Sequence, residues 1–75
     1  MMFTAKLEYR DTTDTLHSLS REVYTAEDGA LLVHKWLLDL MTDWPNINPC
    51  GLKVSAVVES LDSDHCDVYE FSLGV

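Results

Sequence analysis

The amino-acid sequence predicts an α+β fold in which a four-stranded antiparallel sheet is covered on one face by a single amphipathic helix. Three observations predict it. Four segments alternate between apolar and polar residues with the period of a β-strand, one central segment repeats with the period of a helix, and turn-forming residues separate these segments. The element order is therefore ββαββ, and residues 1–75 are expected to form a single domain.

The first two segments predict a β-hairpin. Residues 2–10 alternate strictly, whereas residues 16–24 alternate more weakly and are more polar, which is typical of an edge strand. Residues 11–14, Asp-Thr-Thr-Asp, favour a turn because their side chains can bond the neighbouring backbone. The residues expected to face the core are Phe3, Ala5, Leu7, Tyr9, Leu19 and Val23.

A helix is predicted at about residues 26–43. Thr25 is a suitable N-cap, Asp28 follows it three residues later, and Pro45 is expected to end the helix. Projection at about 100° per residue places one group of side chains within an arc of about 120°, wide enough to cover one sheet. Its members are Ala30, Val33, His34, Leu37, Leu40, Met41 and Trp44.

The last two segments predict a second hairpin. Residues 52–59 alternate, and Val57 makes the middle of this segment apolar on both faces, as in a central strand. Residues 61–65 form a turn, and residues 68–73 form the final strand. The core-facing residues expected there are Tyr69, Phe71 and Leu73.

Thirteen acidic residues against five basic ones give a net charge of −8. A surface of that charge repels phosphate backbones and anionic lipid, so neither direct nucleic-acid binding nor membrane binding is expected. The complementary partner is a protein with a basic surface, such as a nucleic-acid-binding effector.

The two cysteines, Cys50 and Cys66, lack the density of a disulfide scaffold and the spacing of a metal site. Free thiols in a reducing cytoplasm are therefore expected. The chain also has no apolar run approaching the ~18 residues of a membrane span, no secretory leader pattern and no Asn-X-Ser/Thr acceptor.

The helix carries more large apolar side chains than one sheet requires. On one flank, an aromatic and an aliphatic side chain lie among three carboxylates, and this group is the leading candidate for a partner-binding surface. Its members are Asp28, Leu32, Trp36, Asp39 and Asp43.

The alternative acidic patch is Asp62 with Asp64. Two other interpretations remain open: Trp36 packs under the first hairpin beside a solvated acidic face, or Leu31, Leu38 and Trp36 pair with a second copy, giving a homodimer in place of a monomer.

Catalysis, cofactors and metals have little support. Residues 62–67 hold the densest cluster of potential metal ligands, yet they lack the glycine and the final glutamate of a calcium loop. A catalytic triad could be drawn from Asp14, His17 and either Ser18 or Ser20, and a catalytic pair from Cys66 and His65, but adjacent residues of a strand point to opposite faces. No enzyme activity, no cofactor and no structural metal are expected.

In size, in its charge of −8, in the ββαββ order and in the capped acidic helix start Thr25-Ala26-Glu27-Asp28, the chain resembles small phage-encoded inhibitors of bacterial defence, the anti-CRISPR and antirestriction proteins. The resemblance rests on architecture and charge over the whole chain. It implies a stoichiometric inhibitor, acting in the cytoplasm of a bacterial host cell, that occupies a basic nucleic-acid groove on a host effector.

Overall fold

The computed structural model describes residues 2–62 and 64–74, which confirm the α+β class and the ββαββ order. The elements are β1 (Phe3–Arg10), β2 (Leu16–Val23), α1 (Ala26–Ile47), β3 (Leu52–Ser60) and β4 (Cys66–Leu73). The strands form one antiparallel sheet in the order β2-β1-β3-β4, so β1 and β3 are central and β2 is an edge strand, as predicted. Strand β4 begins two residues earlier than expected, and Ser63 of the predicted turn lies outside the described residues.

The register places the residues predicted to face the core on the same side of the sheet in all four strands, but Leu19 on the edge strand β2 remains exposed. Leu7 of β1 lies opposite Leu19 of β2 and Ala56 of β3, and Ala56 lies opposite Tyr69 of β4. Because α1 packs mainly on β1 and β3, these two strands supply most of the buried side chains. The buried apolar residues are Phe3, Ala5, Leu7, Val33, Leu37, Leu40, Leu52, Val54, Ala56 and Val58.

The helix is rotated about its axis relative to the predicted arc. His34 and Met41, both predicted to face the sheet, are exposed, whereas Leu32 packs partly against the core. Gly29 explains the rotation. It is buried at a close contact with β3, where an added Cβ would lie 2.6 Å from Val58 Cγ1. A glycine is not counted as apolar when the buried face of a helix is assigned from the sequence. Here its missing side chain lets the helix backbone approach the sheet, and this close approach fixes the face that turns inward.

The helix also continues beyond its predicted end at residue 43, with Pro45 inside its last turn. Proline removes one N–H donor, but the helix continues through it to Ile47, and Asn48 N–H donates to the Trp44 carbonyl at 2.8 Å. Trp44 and Ile47 both pack against the core, which offsets the cost of the proline. The Trp44 ring also lies against Gly74, leaving no room there for a side chain.

Candidate partner-binding surface

Charge is distributed unevenly between the open face of the sheet and the rest of the molecule. The open face is the side of the sheet turned away from α1, and its charged side chains nearly balance, with three basic and four acidic groups. These are Lys6, Arg10 and Lys53 with Glu8, Glu22, Glu59 and Glu70. The remaining nine acidic and two basic side chains lie on the helix, the hairpin loops and the helix-facing side. Most of the net charge of −8 is therefore on the helix side and at the loops.

Three exposed carboxylates follow one flank of α1, and we call Asp28, Asp39 and Asp43 the acidic row. They span about 22 Å of helix axis at ~1.5 Å per residue. Among the described residues, none of the three takes part in an ion pair within 4 Å. Asp43 accepts one hydrogen bond, from the Asn46 side-chain amide at 3.0 Å. The acidic row thus offers charge on a rigid element and forms no ion pair with the described lysines and arginines.

The alternative patch, Asp62 with Asp64, lies at the same end of the molecule as the start of α1. Leu61 N–H donates to the Met2 carbonyl at 3.0 Å, which ties the β3–β4 loop to the beginning of β1. The helix start reaches that end as well, because Gly29 lies against Val58. Asp28 and the loop carboxylates therefore lie at the same end of the molecule, whereas Asp39 and Asp43 lie further along the helix.

The structure places Leu32 and Trp36 half-buried and packed against the core. Both side chains therefore contribute to packing inside the fold, and only part of each remains accessible from outside. The large apolar side chains that α1 leaves exposed are Leu31, Leu38 and Met41, with exposed fractions of 62%, 49% and 50%. Sequence reasoning placed Met41 in the core, although its spacing from Leu38 and Leu31 was a readable signal of a shared outer face.

The β1–β2 loop is organised around one carboxylate. Asp11 Oδ1 accepts hydrogen bonds from the Thr13 backbone N–H at 2.9 Å, the Thr13 hydroxyl at 2.6 Å and the Thr15 N–H at 3.1 Å. Its Oδ2 lies 2.8 Å from His17 Nε2, and the His17 ring stacks on Tyr9 at 5.0 Å. The Thr13 hydroxyl first, and His17 second, hold the pKa of Asp11 well below its ordinary range. The ionised carboxylate thus joins the loop to β2.

The residues from which a catalytic triad could be drawn are separated. Asp14 pairs with Arg10 at 3.5 Å, and His17 is bonded to Asp11 on the helix-facing side of β2. Ser18 and Ser20 lie on the open face, because they oppose Glu8 and Lys6. Neither Ser18 nor Ser20 therefore shares a face of the sheet with His17.

In the cluster at residues 62–67, His65 Nε2 lies 3.0 Å from Asp67 Oδ2 and its ring meets Phe3 edge-on at 5.8 Å. Cys66, adjacent to His65, lies on the open face opposite Glu59. Within residues 2–62 and 64–74, no three His, Cys, Asp or Glu side chains form a group suited to a metal ion.

Comparison of the chain with protein-family models, curated proteins and solved structures gives no match. No helix in the described part of the chain combines the length and the apolar character needed to cross a membrane.

Proposed function

We propose that this protein is a non-catalytic inhibitor that binds a basic, nucleic-acid-binding surface of another protein, in the manner of the anti-CRISPR proteins. The observation that carries the proposal is the segregation of charge, with an acidic helix and acidic loops on one side and a nearly balanced sheet face on the other. The partner is a cytoplasmic effector of a bacterial host, and binding is stoichiometric.

The acidic row suits this role physically. Its carboxylates stand along about 22 Å of one rigid helix, a length comparable to several phosphates of a nucleic-acid strand. Lysine and arginine side chains that hold phosphates can pair with these carboxylates instead. Because the helix is already ordered by its packing on β1 and β3, binding does not have to order the backbone that presents the charges.

Affinity capture from a nuclease-treated bacterial lysate tests the proposal. The baits are the wild type, the triple variant Asp28→Asn, Asp39→Asn and Asp43→Asn, and a control, Glu22→Gln, Glu59→Gln and Glu70→Gln, that removes the same charge from the open face. We expect wild type and control to capture the same nucleic-acid-binding protein, the acidic-row variant to capture much less, and added DNA or RNA to release it. Equal capture by all three baits would contradict the proposal.

A second candidate function is that of a homo-oligomeric structural or regulatory protein, and the exposed Leu31, Leu38 and Met41 favour it. The molar mass measured by light scattering over a range of concentrations distinguishes the inhibitor from the homo-oligomeric protein. A concentration-independent monomer supports the inhibitor, and a tight dimer supports the oligomer.

A further inference from the structure

The charged side chains of the open face form bands that alternate in sign along the strands. The register sets these bands, because residues that are paired across the sheet lie side by side on one face. Counted from the β1–β2 loop, the four bands are basic, acidic, basic and acidic. Their members, in that order, are Arg10 with Lys53, Glu8 with Glu70, Lys6, and Glu22 with Glu59. Among the described residues, no ion pair joins one band to another.

Bands in this order are complementary to themselves under a two-fold rotation. An axis that lies across the strands, at the level of Leu7 and Ala56, sets each strand against its own counterpart in the opposite direction. The band order of the second copy is then reversed, so the first band faces the fourth and the second faces the third. Every band meets a band of opposite charge. An axis along the strands would instead set each band against itself.

Individual charges match as well as bands. Under this rotation Glu8 faces Lys6 of the second copy, because both residues belong to β1 and lie equally far from Leu7. Lys53 faces Glu59 of the second copy, because both belong to β3 and lie equally far from Ala56. Each contact occurs twice, which gives four pairs of opposite charge between the two copies.

We propose that two copies of this protein pack open face to open face about this axis. The contact is held by the two Lys6–Glu8 pairs and the two Lys53–Glu59 pairs. Both helices, and with them the acidic row of each copy, remain on the outside of the dimer. The inference goes beyond the proposed function and does not depend on it, because the open face and the acidic row lie on different sides of the molecule.

A second copy suits the open face better than a strongly charged foreign surface does. The face carries three basic and four acidic groups, so two such faces meet with little net repulsion. A strongly basic partner gains more attraction on the helix side, where most of the net charge lies. The two helices of the dimer are more than about 20 Å apart, so their carboxylates are screened from each other beyond a Debye length of ~8 Å.

The open face has the size of a weak interface. Four strands of eight or nine residues cover about 27 Å by 19 Å, roughly 500 Å² per copy, whereas a stable interface buries on the order of 800 Å² per partner. The paired charges also lose hydration, which offsets much of their attraction. The dimer is therefore reversible and sensitive to salt. It is a different contact from a tight dimer through Leu31, Leu38 and Met41.

Charge exchange tests the pairing, with analytical ultracentrifugation of the full-length protein as the measurement. The variant Lys6→Glu, Lys53→Glu has acidic groups at all four paired positions, and the variant Glu8→Lys, Glu59→Lys has basic groups there. We expect each variant alone to dimerise at least about tenfold more weakly than the wild type. An equimolar mixture should form a heterodimer at least as tight as the wild-type dimer, because all four contacts are then attractive.

The matched control carries the same change of net charge on the helix. Asp39→Lys with Asp43→Lys adds as much positive charge as Glu8→Lys with Glu59→Lys, yet it should form no heterodimer with the acidic variant. The wild-type dimer should weaken about tenfold when the salt concentration is raised from low to high. Lys53→Glu mixed with Glu59→Lys repeats the exchange with half of the substitutions, in case a double variant fails to fold.

Three results would overturn the inference. The first is a wild type that stays monomeric at the highest concentration reached, and the second is a mixture of the exchanged variants that stays monomeric. The third is a wild-type dimer that Leu38→Gln dissociates and Lys53→Glu leaves intact, which would place the contact on α1. These results leave the inhibitor role to the capture experiment, whose acidic-row variant keeps the whole open face.

Discussion

Single residues show which local features a sequence pattern can predict. Thr25 caps α1 as predicted, because an N-cap depends on residues three apart, and its hydroxyl accepts the Asp28 N–H at 3.0 Å. The bonding of Asp11 was not predictable in the same way, because His17 reaches it from the paired strand. A contact between residues three apart can be predicted from the sequence, but a contact across a hairpin can be predicted only when the register of the two strands is known.

The lowered pKa of Asp11 makes the stability of the β1–β2 loop depend on pH. The folded pKa lies below the ordinary value of 3.8, so the ionised carboxylate stabilises the fold above pH 3.8 and that stabilisation is lost as the pH falls further. Asp11→Asn should therefore be less stable than the wild type at neutral pH, with a difference that narrows in acid. Urea unfolding at several pH values measures it, with Asp14→Asn in the same loop as the matched control. A difference that stays constant between neutral pH and acid would contradict this assignment.

Trp36 and Leu38 differ by two positions on α1 and should respond differently to truncation. Trp36 packs against the core, so Trp36→Ala should lower the free energy of unfolding by about 2 kcal/mol or more. Leu38→Ala, on the exposed face, should change it by less than about 0.5 kcal/mol. Urea denaturation of both variants tests this. Equal and small losses would show that Trp36 is free for a partner, as one interpretation of the sequence has it.

At the scale of elements, the sequence predicted each strand to within about two residues but oriented the helix incorrectly. The faces of the strands follow from their alternation, which is strict in β1 and weaker in β2, and the sheet register agrees with the predicted faces. The face that the helix turns to the sheet is set by Gly29, which a search for apolar residues does not register. The helix also extends past Pro45, because Trp44 and Ile47 pack against the core. Contacts with the sheet, more than the apolar spacing of the helix or Pro45, therefore determine how the helix is oriented and where it ends.

Gly29→Ala tests the close approach of α1 to β3. In an exposed helix the change would stabilise by up to about 1 kcal/mol, but here the new Cβ meets the fully buried, β-branched Val58. We expect a net loss of roughly 1–3 kcal/mol in thermal or urea unfolding. In a Val58→Ala background the same substitution should cost less or become favourable. A stabilised single variant would show that the contact is not tight.

At the scale of the whole molecule, the fold gathers charge that the sequence scatters. Asp28 and Asp62 are far apart along the chain, yet the pairing of β1 with β3 brings their segments to one end. Alternation along the strands places Lys6, Lys53 and Arg10 on the open face, away from the acidic row. The net charge was evident from composition, whereas its segregation depends on topology and could not be inferred from the sequence pattern.

Competition for a nucleic-acid site is the most direct test of the proposed function. The captured partner is mixed with a fluorescently labelled nucleic acid, and this protein is titrated into the complex while anisotropy is followed. The account predicts complete displacement at one equivalent of the wild type, a requirement for a large excess of the Asp28→Asn, Asp39→Asn, Asp43→Asn variant, and weaker competition as salt is raised. A nucleic acid that stays bound while this protein also binds the partner would contradict it.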